Sequence, residues 1–349
     1  MPISFDEFCL NSQDELNRVA GENGNPLMKR TKTGFIDALR SPENTQGVQI
    51  IDMLDKGDGK THRAQVKYLK PDGTSDAGDT ITDICDDAGT AKAYTYDETE
   101  ITLQVQSDPS LLTESQMREL CESGSEFRIK LMNGAMDSII TRMNQRLIPL
   151  FVAGAGKFNE GDAGPNSYAF LNNDSGIIQP DLNGEVYMMR DYDNSGASGR
   201  PIVVGDGNID HYRRLQKYGC CNGVGLDNNQ IADFDFDYDR FMNGILSNAS
   251  EDNMFFVWAP RAAQLLTKTI NKGEFAKSGS DFTYGTITDP MTGIEFDMEL
   301  QYDKCSPRGY RFKMSLRYDL WQLPLDMFKS TDTDRYQVNY NFLFAATIG

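Results

Sequence analysis

Histidine is almost missing from this chain: only His62 and His211 occur in 349 residues. A histidine-based triad or metal site therefore has almost no material, and each histidine reads as a solvated or packed side chain. The six cysteines, Cys9, Cys85, Cys121, Cys220, Cys221 and Cys305, are scattered and form no CxxC pair. They give no basis for a zinc site or a disulfide framework, and reduced, mostly buried thiols are expected. No run approaches the roughly 18 consecutive apolar residues that a membrane span needs. The N-terminal MPISFDEF has neither the basic nor the apolar stretch of an export signal. No membrane partner is expected, and synthesis in the cytoplasm is. Positive charge is scarce too: 34 Lys and Arg against 52 Asp and Glu give 34 − 52 = −18. Such a deficit argues against a surface whose main task is to grip phosphates, so direct wrapping of nucleic acid is not expected.

What the chain has is length, enough for a sizeable core and two or three lobes. It also has one long amphipathic stretch, Leu112 to Gly154. Thr113 followed by Gln116 spells a capping box, and Leu112 can pack on Met117 as a hydrophobic staple, which predicts a helix start at about Glu114. At 100° per residue, Cys121, Ile129, Met132, Met136, Ile139, Ile140, Met143 and Leu147 share one stripe, with Lys130, Asp137, Ser138, Thr141, Asn144 and Gln145 on the far side. Met132, Met136, Ile139, Ile140, Met143 and Leu147 are the expected core face. Pro149 lacks a backbone donor and crowds the preceding turn, so the regular helix is expected to stop or kink between Arg146 and Leu150. Gly124 and Gly134 interrupt the rod and its stripe is one face wide, which favours a spine laid across a sheet over a heptad coiled coil.

Before the spine, Ser4 and Glu7 make a second capping box ahead of Phe5, Phe8 and Leu16, predicting a short helix before Gly21. From Gly24 to Gln46 no period survives, and the segment reads as an arm lying on something else. Gly47 to Gly89 reads as a projecting hairpin. Val48, Ile50 and Met53 lead into DKGDGK at Asp55 to Lys60, after which His62, Ala64, Val66 and Tyr68 alternate with Arg63, Gln65 and Lys67. The acidic, glycine-rich stretch that follows is too polar to offset its own ordering entropy and needs a partner surface. Ile101, Leu103 and Val105 then form a half-buried strand feeding the spine through Ser107 to Ser110.

After the spine, Gly154 to Ser198 is rich in Gly, Asn and Asp, with a short helical run near Val186 to Met189. Pro201 to Val204 and Met254 to Trp258 read as buried strands. Asn208 reads as the cap of a helix carrying Ile209, Tyr212 and Leu215 that ends at Gly219, and Pro260 as the first turn of a helix bearing Ala262, Leu265, Leu266 and Ile270, closed by Gly273. Residues from about 160 to 280 thus read as an α/β lobe. The clearest strand pair comes next. Ile294, Phe296, Met298, Leu300 and Tyr302 alternate with acids, and Tyr310, Phe312, Met314, Leu316 and Tyr318 alternate largely with bases. Placing Tyr302 opposite Tyr310 sets Glu299 against Lys313 and Glu295 against Arg317 on the outer face. Tyr336, Val338, Tyr340, Phe342 and Phe344 make a last strand.

Motifs that carry chemistry are sparse. GDGKT at Gly57 to Thr61 has Leu54 where a phosphate-binding loop needs glycine, and reads as a hairpin tip. GVGLD at Gly223 and GDGN at Gly205 lack the strand, spacing and acidic partner of a dinucleotide site. DFDFDYD, Asp233 to Asp239, sets four carboxylates along one side of an extended segment, suiting either calcium or a solvated strand face. Arg240 where a calcium loop needs glycine, and the missing bidentate glutamate, favour the strand face. DYDNSG, Asp191 to Gly196, keeps the glycine but has Ile202 in place of the glutamate. No cofactor, metal or catalytic residue is expected.

In order, an arm, a projecting hairpin, a strand entering a long spine, a glycine-rich passage into an α/β lobe and a long antiparallel hairpin resemble the major capsid protein of tailed bacteriophages, the Johnson fold. The resemblance is architectural and covers most of the chain. It implies an α+β chain with an N-terminal arm at 1–46, an extended hairpin loop at 47–92 that overlaps a neighbouring subunit, a peripheral domain at 93–159 and 282–349 built on a spine helix at 113–150 with long strands at Ile294 to Leu320, and an α/β axial domain at 160–281. It further implies self-assembly into hexamers and pentamers of an icosahedral or prolate shell that encloses double-stranded DNA without sequence-specific binding. The expected place is the virion capsid, after assembly in the host cytoplasm, with a portal as partner and decoration proteins left open. About a hundred residues precede the spine, all used by arm and hairpin, so any scaffolding is expected to be a separate protein. An acidic lining suits a shell around packed nucleic acid, which a basic lining would hold fast. The expected inter-subunit contacts are Arg63, Lys67 and Tyr68 in the hairpin, with Asp76, Asp79, Asp83 and Asp86 meeting basic patches on adjacent copies. Two other readings stay open: a bacterial nanocompartment shell of the same fold, and an acidic calcium-dependent binding module or hydrolase that uses DFDFDYD and DYDNSG.

Overall fold

The computed structural model describes residues 13–14, 16–21, 33–40, 49–55, 62–72, 93–113, 115–116, 125–154, 166–174, 177–180, 186–187, 189–190, 192–193, 199–205, 235–239, 241–242, 254–270, 277–278, 282–303, 309–322 and 341–348. All six cysteines, His211, the Asn208 helix, the hairpin tip and the Ser4–Glu7 capping box lie outside them.

The spine is a helix at Ser125–Gly154, 30 residues or about 45 Å long. Met132, Met136, Ile139, Ile140, Met143 and Leu147 are all buried, as the stripe predicts. The capping box upstream is formed: Thr113 N–H donates to Gln116 Oε1 at 2.9 Å and Gln116 N–H to Thr113 Oγ1 at 3.3 Å. It sits on a strand end, however. Thr113 closes strand β4 (Gln104–Thr113), Ser115 and Gln116 are helical, and the described long helix begins at Ser125, not Glu114. At the other end the helix does not stop near Leu150 but runs through Pro149 to Gly154. Proline frees only the carbonyl of Gln145, and both residues are exposed, so water can take that bond. Ile148 and Phe151 on the opposite side stay buried.

The described strands form three sheets. β1 (Gln49–Asp55), β2 (His62–Asp72) and β3 (Ala93–Thr102) form a three-stranded antiparallel sheet. The projection is thus wider than the expected two-stranded hairpin. β3 covers the second edge of β2 from Arg63↔Thr102 to Asp72↔Ala93 and continues past Leu103 into β4. β4 belongs to another sheet, where it pairs along ten residues with β14 (Gly309–Gln322). The small sheet is therefore carried on the prolongation of a strand rooted beside the spine.

That second sheet has the order β10 (Ala263–Lys268), β14, β13 (Glu295–Asp303), β12 (Phe282–Thr288), β11 (Lys277–Ser278), with β4 on the far edge of β14. The register of β13 on β14 is the one read from the alternation: Tyr302↔Tyr310 and Glu299↔Lys313. Phe296, Met298, Leu300, Phe312, Met314 and Leu316 are fully buried on the inner face. The predicted helix after Pro260 is instead a turn and the strand β10. The β13 ladder ends at Asp297↔Ser315, leaving the last third of β14 without a partner on that side, and Ala263 to Lys268 fills it from Gln322 to Arg317. Ala262, Ala263, Gln264, Leu265 and Leu266 are consecutively buried, a pattern that suits a strand covered on both faces.

The third sheet is mixed, with the order β6 (Ile177–Pro180), β5 (Asn166–Asp174), β15 (Asn341–Ile348), β9 (Met254–Trp258), β7 (Ile202–Gly205), β8 (Asp235–Tyr238). The two expected strands of the middle lobe are both here. The last strand of the chain lies between β9 and β5, antiparallel to one and parallel to the other. Phe256, Trp258, Ile202 and Val204 from this sheet share one apolar core with the spine and the second sheet.

The arm also departs from expectation. Its aperiodic 24–46 segment holds a six-residue helix, Gly34–Leu39, that buries Phe35, Ile36, Ala38 and Leu39. A helix of under two turns is too short to write a period. Upstream, residues 16–21 are helical with Leu16 and Val19 buried, and the Gln13 side chain clamps the backbone of Thr288, accepting from its N–H at 2.8 Å and donating to its carbonyl at 2.9 Å.

Candidate functional site

The expected contact residues Arg63, Lys67 and Tyr68 all lie in β2, at the centre of the projecting sheet. Lys67 stands opposite Gln49 on one side and Glu98 on the other, Arg63 opposite Leu54 and Thr102, and Tyr68 opposite Asp97. Asp76, Asp79, Asp83 and Asp86 are outside the described residues. Sequence reading missed the acids of β3, Asp97, Glu98 and Glu100, which the register sets against β2. Their signal is present in the same alternation, but the sequence names no partner strand to read it against.

On the outer face of the second sheet the charge columns are as expected at one pair and shifted at the other. Lys313 Nζ lies 3.3 Å from Glu299 Oε2. Arg317 does not meet Glu295. It donates to Asp297 Oδ2 at 2.7 Å, a diagonal neighbour, and Asp297 is fully buried because Ile270, just past β10, lays its N–H on the same carboxylate at 2.9 Å. The acid read as part of a wet face is thus a tie between β13, β14 and the end of β10. Asp297→Ala should cost about 3 kcal/mol, since it leaves a largely buried guanidinium and a backbone N–H without their acceptor. Asp297→Asn should cost less. Urea midpoints of both variants against the parent check this order.

Val105 and Leu111 are about half exposed on β4, whose other edge carries no ladder among the described residues. Pro109, between them, is suited to an edge because it has no N–H to offer there. At the spine's end, Arg146 stacks over the Tyr318 ring, 5.9 Å from its centroid. Burial raises the neighbouring Asp319 carboxyl, against the pull of the Leu320 N–H and of Arg146.

The densest polar junction among the described residues is at Asp239, the last acid of DFDFDYD. The solvated strand face expected there fails at this residue, which has no exposure at all. Oδ2 accepts from Phe35 N–H at 3.0 Å and from Asn144 Nδ2 at 2.8 Å; Oδ1 accepts from Phe241 N–H at 2.8 Å and from the same Nδ2 at 3.0 Å. Asn144, placed by the helical wheel on the far side of the spine, is accordingly buried. Thr33, at the N-cap of the arm helix, makes no side-chain cap bond, so a residue 204 positions beyond Phe35 does its work. Gly34 passes against the Tyr238 carbonyl, and Phe35 enters a box of Phe151, Phe256 and Trp258 at ring distances of 5.4, 5.4 and 6.0 Å. Arm, spine and third sheet meet at one carboxylate. With both oxygens engaged by N–H donors, Asp239 is not free to ligate a cation. Among the described residues no cluster of His, Cys, Asp and Glu is placed to hold a metal, and no helix is long and apolar enough to cross a membrane.

No protein-family model and no curated protein sequence matches this chain. Solved structures do. The cyanophage A-1(L) capsid protein superposes with a TM-score of 0.50 at 10% identity, over 91% of this chain and 93% of that one. The capsid of cyanophage P-SCSP1u gives 0.48 at 11% identity, over 92% and 90%. The SrpI encapsulin from Synechococcus elongatus gives 0.41 at 10% identity, over 80% and 81%. The likeness to the A-1(L) capsid spans nearly both chains, and with the spine, the strand-borne projection and the two larger sheets it defines an α+β fold of the tailed-phage capsid class. The chain has the Johnson fold.

Proposed function

We propose that this chain is the major capsid protein of a tailed bacteriophage, the structural subunit of a closed shell around double-stranded DNA. One observation supports this most: a separate three-stranded sheet, β1–β2–β3, whose last strand leads past Leu103 directly into β4 of the second sheet. A three-stranded sheet that no further strand extends among the described residues is suited to lie on a neighbour. The fold likeness supports the same reading by analogy. The working division follows the sheets: an arm at 1–46, an extended loop at 47–92 to which β3 is added, a peripheral unit of the spine with the second sheet, which takes β10 and β11 from the expected 160–281 span, and an axial unit of the third sheet, which takes the last strand. A portal is the further partner this role calls for, with separate scaffolding and decoration proteins as partners to test for, and the virion is its place.

Light scattering on the purified chain, with electron microscopy of the same sample, tests the proposal. Closed particles, or stable hexamers and pentamers, are expected; a 39.1 kDa monomer that never assembles, even with partner proteins from its source, would overturn it. DNA inside the particles, rather than an enclosed protein, marks a capsid and not a compartment. Reversing Arg63 and Lys67 to glutamate should abolish particles while leaving a folded monomer. The Lys67→Glu change places a second acid directly opposite Glu98, so far-ultraviolet circular dichroism must show retained strand content for the result to count.

A further inference from the structure

The junction at Asp239 has a property that is independent of whether the chain assembles. Its carboxylate meets only neutral donors, and the Asn144 amide nitrogen is shared between both oxygens. Asn144 Oδ1 is consequently buried with no hydrogen-bond partner. A protonated carboxyl changes that count. Its O–H can donate to Asn144 Oδ1, after a rotation of the amide about its last torsion, while the other oxygen still accepts from Nδ2. Each oxygen keeps a lone pair for its backbone N–H. The result is a closed two-bond acid–amide pair with no orphan atom.

We propose that Asp239 and Asn144 form a proton-operated clamp on the arm helix: uptake of one proton from solvent closes the acid–amide pair and holds residues 33–40 firmly, and its loss loosens them. No charged side chain among the described residues bonds this carboxyl. On the arm helix, Asp37 is exposed and Arg40 reaches away to the Gly293 carbonyl at 3.0 Å. On the spine, Arg142 and Arg146 are exposed, the latter over Tyr318. On the strand itself, Asp237 is the nearest acid along the chain, two residues back, and makes no bond to the Asp239 carboxyl. Burial pushes the Asp239 carboxyl above the ordinary carboxylate range, outweighing the downward pull of Phe35, Phe241 and Asn144. A group raised in the docked state binds its proton more tightly there than when released. Docking is therefore strongest at and below the ordinary carboxylate range and weakens as pH rises through the raised value.

Hydrogen–deuterium exchange on the full chain at about pH 5 and about pH 7.5, with each rate divided by its intrinsic value at that pH, reads the clamp directly. Peptides covering 33–40 should be several-fold better protected at the acid pH, relative to peptides from β13. Asp239→Asn cannot titrate, so its protection should be flat with pH whatever its absolute level. A purely structural role would lower the level and leave no acid response to lose. Should that variant fail to fold, Asn144→Ala keeps the carboxyl but removes its amide partner, and the acid response should shrink. Flat protection in the parent chain, or an acid response undiminished in either variant, would overturn the clamp.

Discussion

Gly34→Ala should destabilise the chain by about 4 kcal/mol or more, although it adds a single methyl group. The added Cβ would run into the backbone carbonyl of Tyr238 and come within 3.1 Å of the Asp237 Cβ. Neither neighbour can swing aside, because Tyr238 is the last residue of β8, locked in the ladder opposite Gly205. The arm helix must then back away, stretching the Phe35 N–H bond to Asp239 and drawing Phe35 out of its aromatic box. Withdrawing a fully enclosed phenylalanine is itself a cost of about 3 to 5 kcal/mol. Gly134→Ala offers the control. It lies on the spine with open space around the new Cβ, where alanine is the better helix former and should be neutral or mildly stabilising. Equal melting points for the two variants would show that the close approach of helix to strand is not as tight as described.

Asp239→Ala should cost about 3 to 5 kcal/mol, because three donors lose their acceptor in a dry site. Phe35 N–H, Phe241 N–H and the Asn144 amide all point at the missing carboxylate. The loss should appear as a lower urea midpoint. If the arm lets go before the rest, it should also appear as early protease cleavage within residues 22–32 or 41–48, the segments that flank the arm helix. Asp193→Ala, at an exposed position, should stay within about 0.5 kcal/mol of the parent. An Asp239→Ala chain as stable as that control would remove the junction from the account of what holds the arm.

What could be read from the chain alone follows from how local the causes are. The spine announces itself because about eight turns of helix repeat one apolar stripe, and no neighbour is needed to see it. The β13–β14 register is legible for a similar reason. Two alternations with matched charges admit only one pairing that satisfies both faces, and the Tyr302–Tyr310 and Glu299–Lys313 pairs follow from it. The order of the remaining elements, together with those two, carried the resemblance to a capsid fold.

Elements whose stability comes from distant partners were not legible. Ala262 to Ile270 has a helical apolar pattern and a proline suited to a first turn, yet it is a strand, because a stretch of β14 left bare by β13 offers a full ladder. Asn144 is polar and lies off the stripe, yet it is buried, because an acid 95 residues later needs its amide. The arm helix is invisible in sequence because its cap, its socket and the glycine contact that seats it belong to β8, the spine and β9. By itself, then, the sequence determined the repeating parts: the spine's buried face, the alternating strands, and the acidic surface unsuited to gripping phosphates. The tertiary structure alone decided where short and aperiodic segments go, since their conformation is fixed by hydrogen bonds and packing that exist only once the distant elements have met.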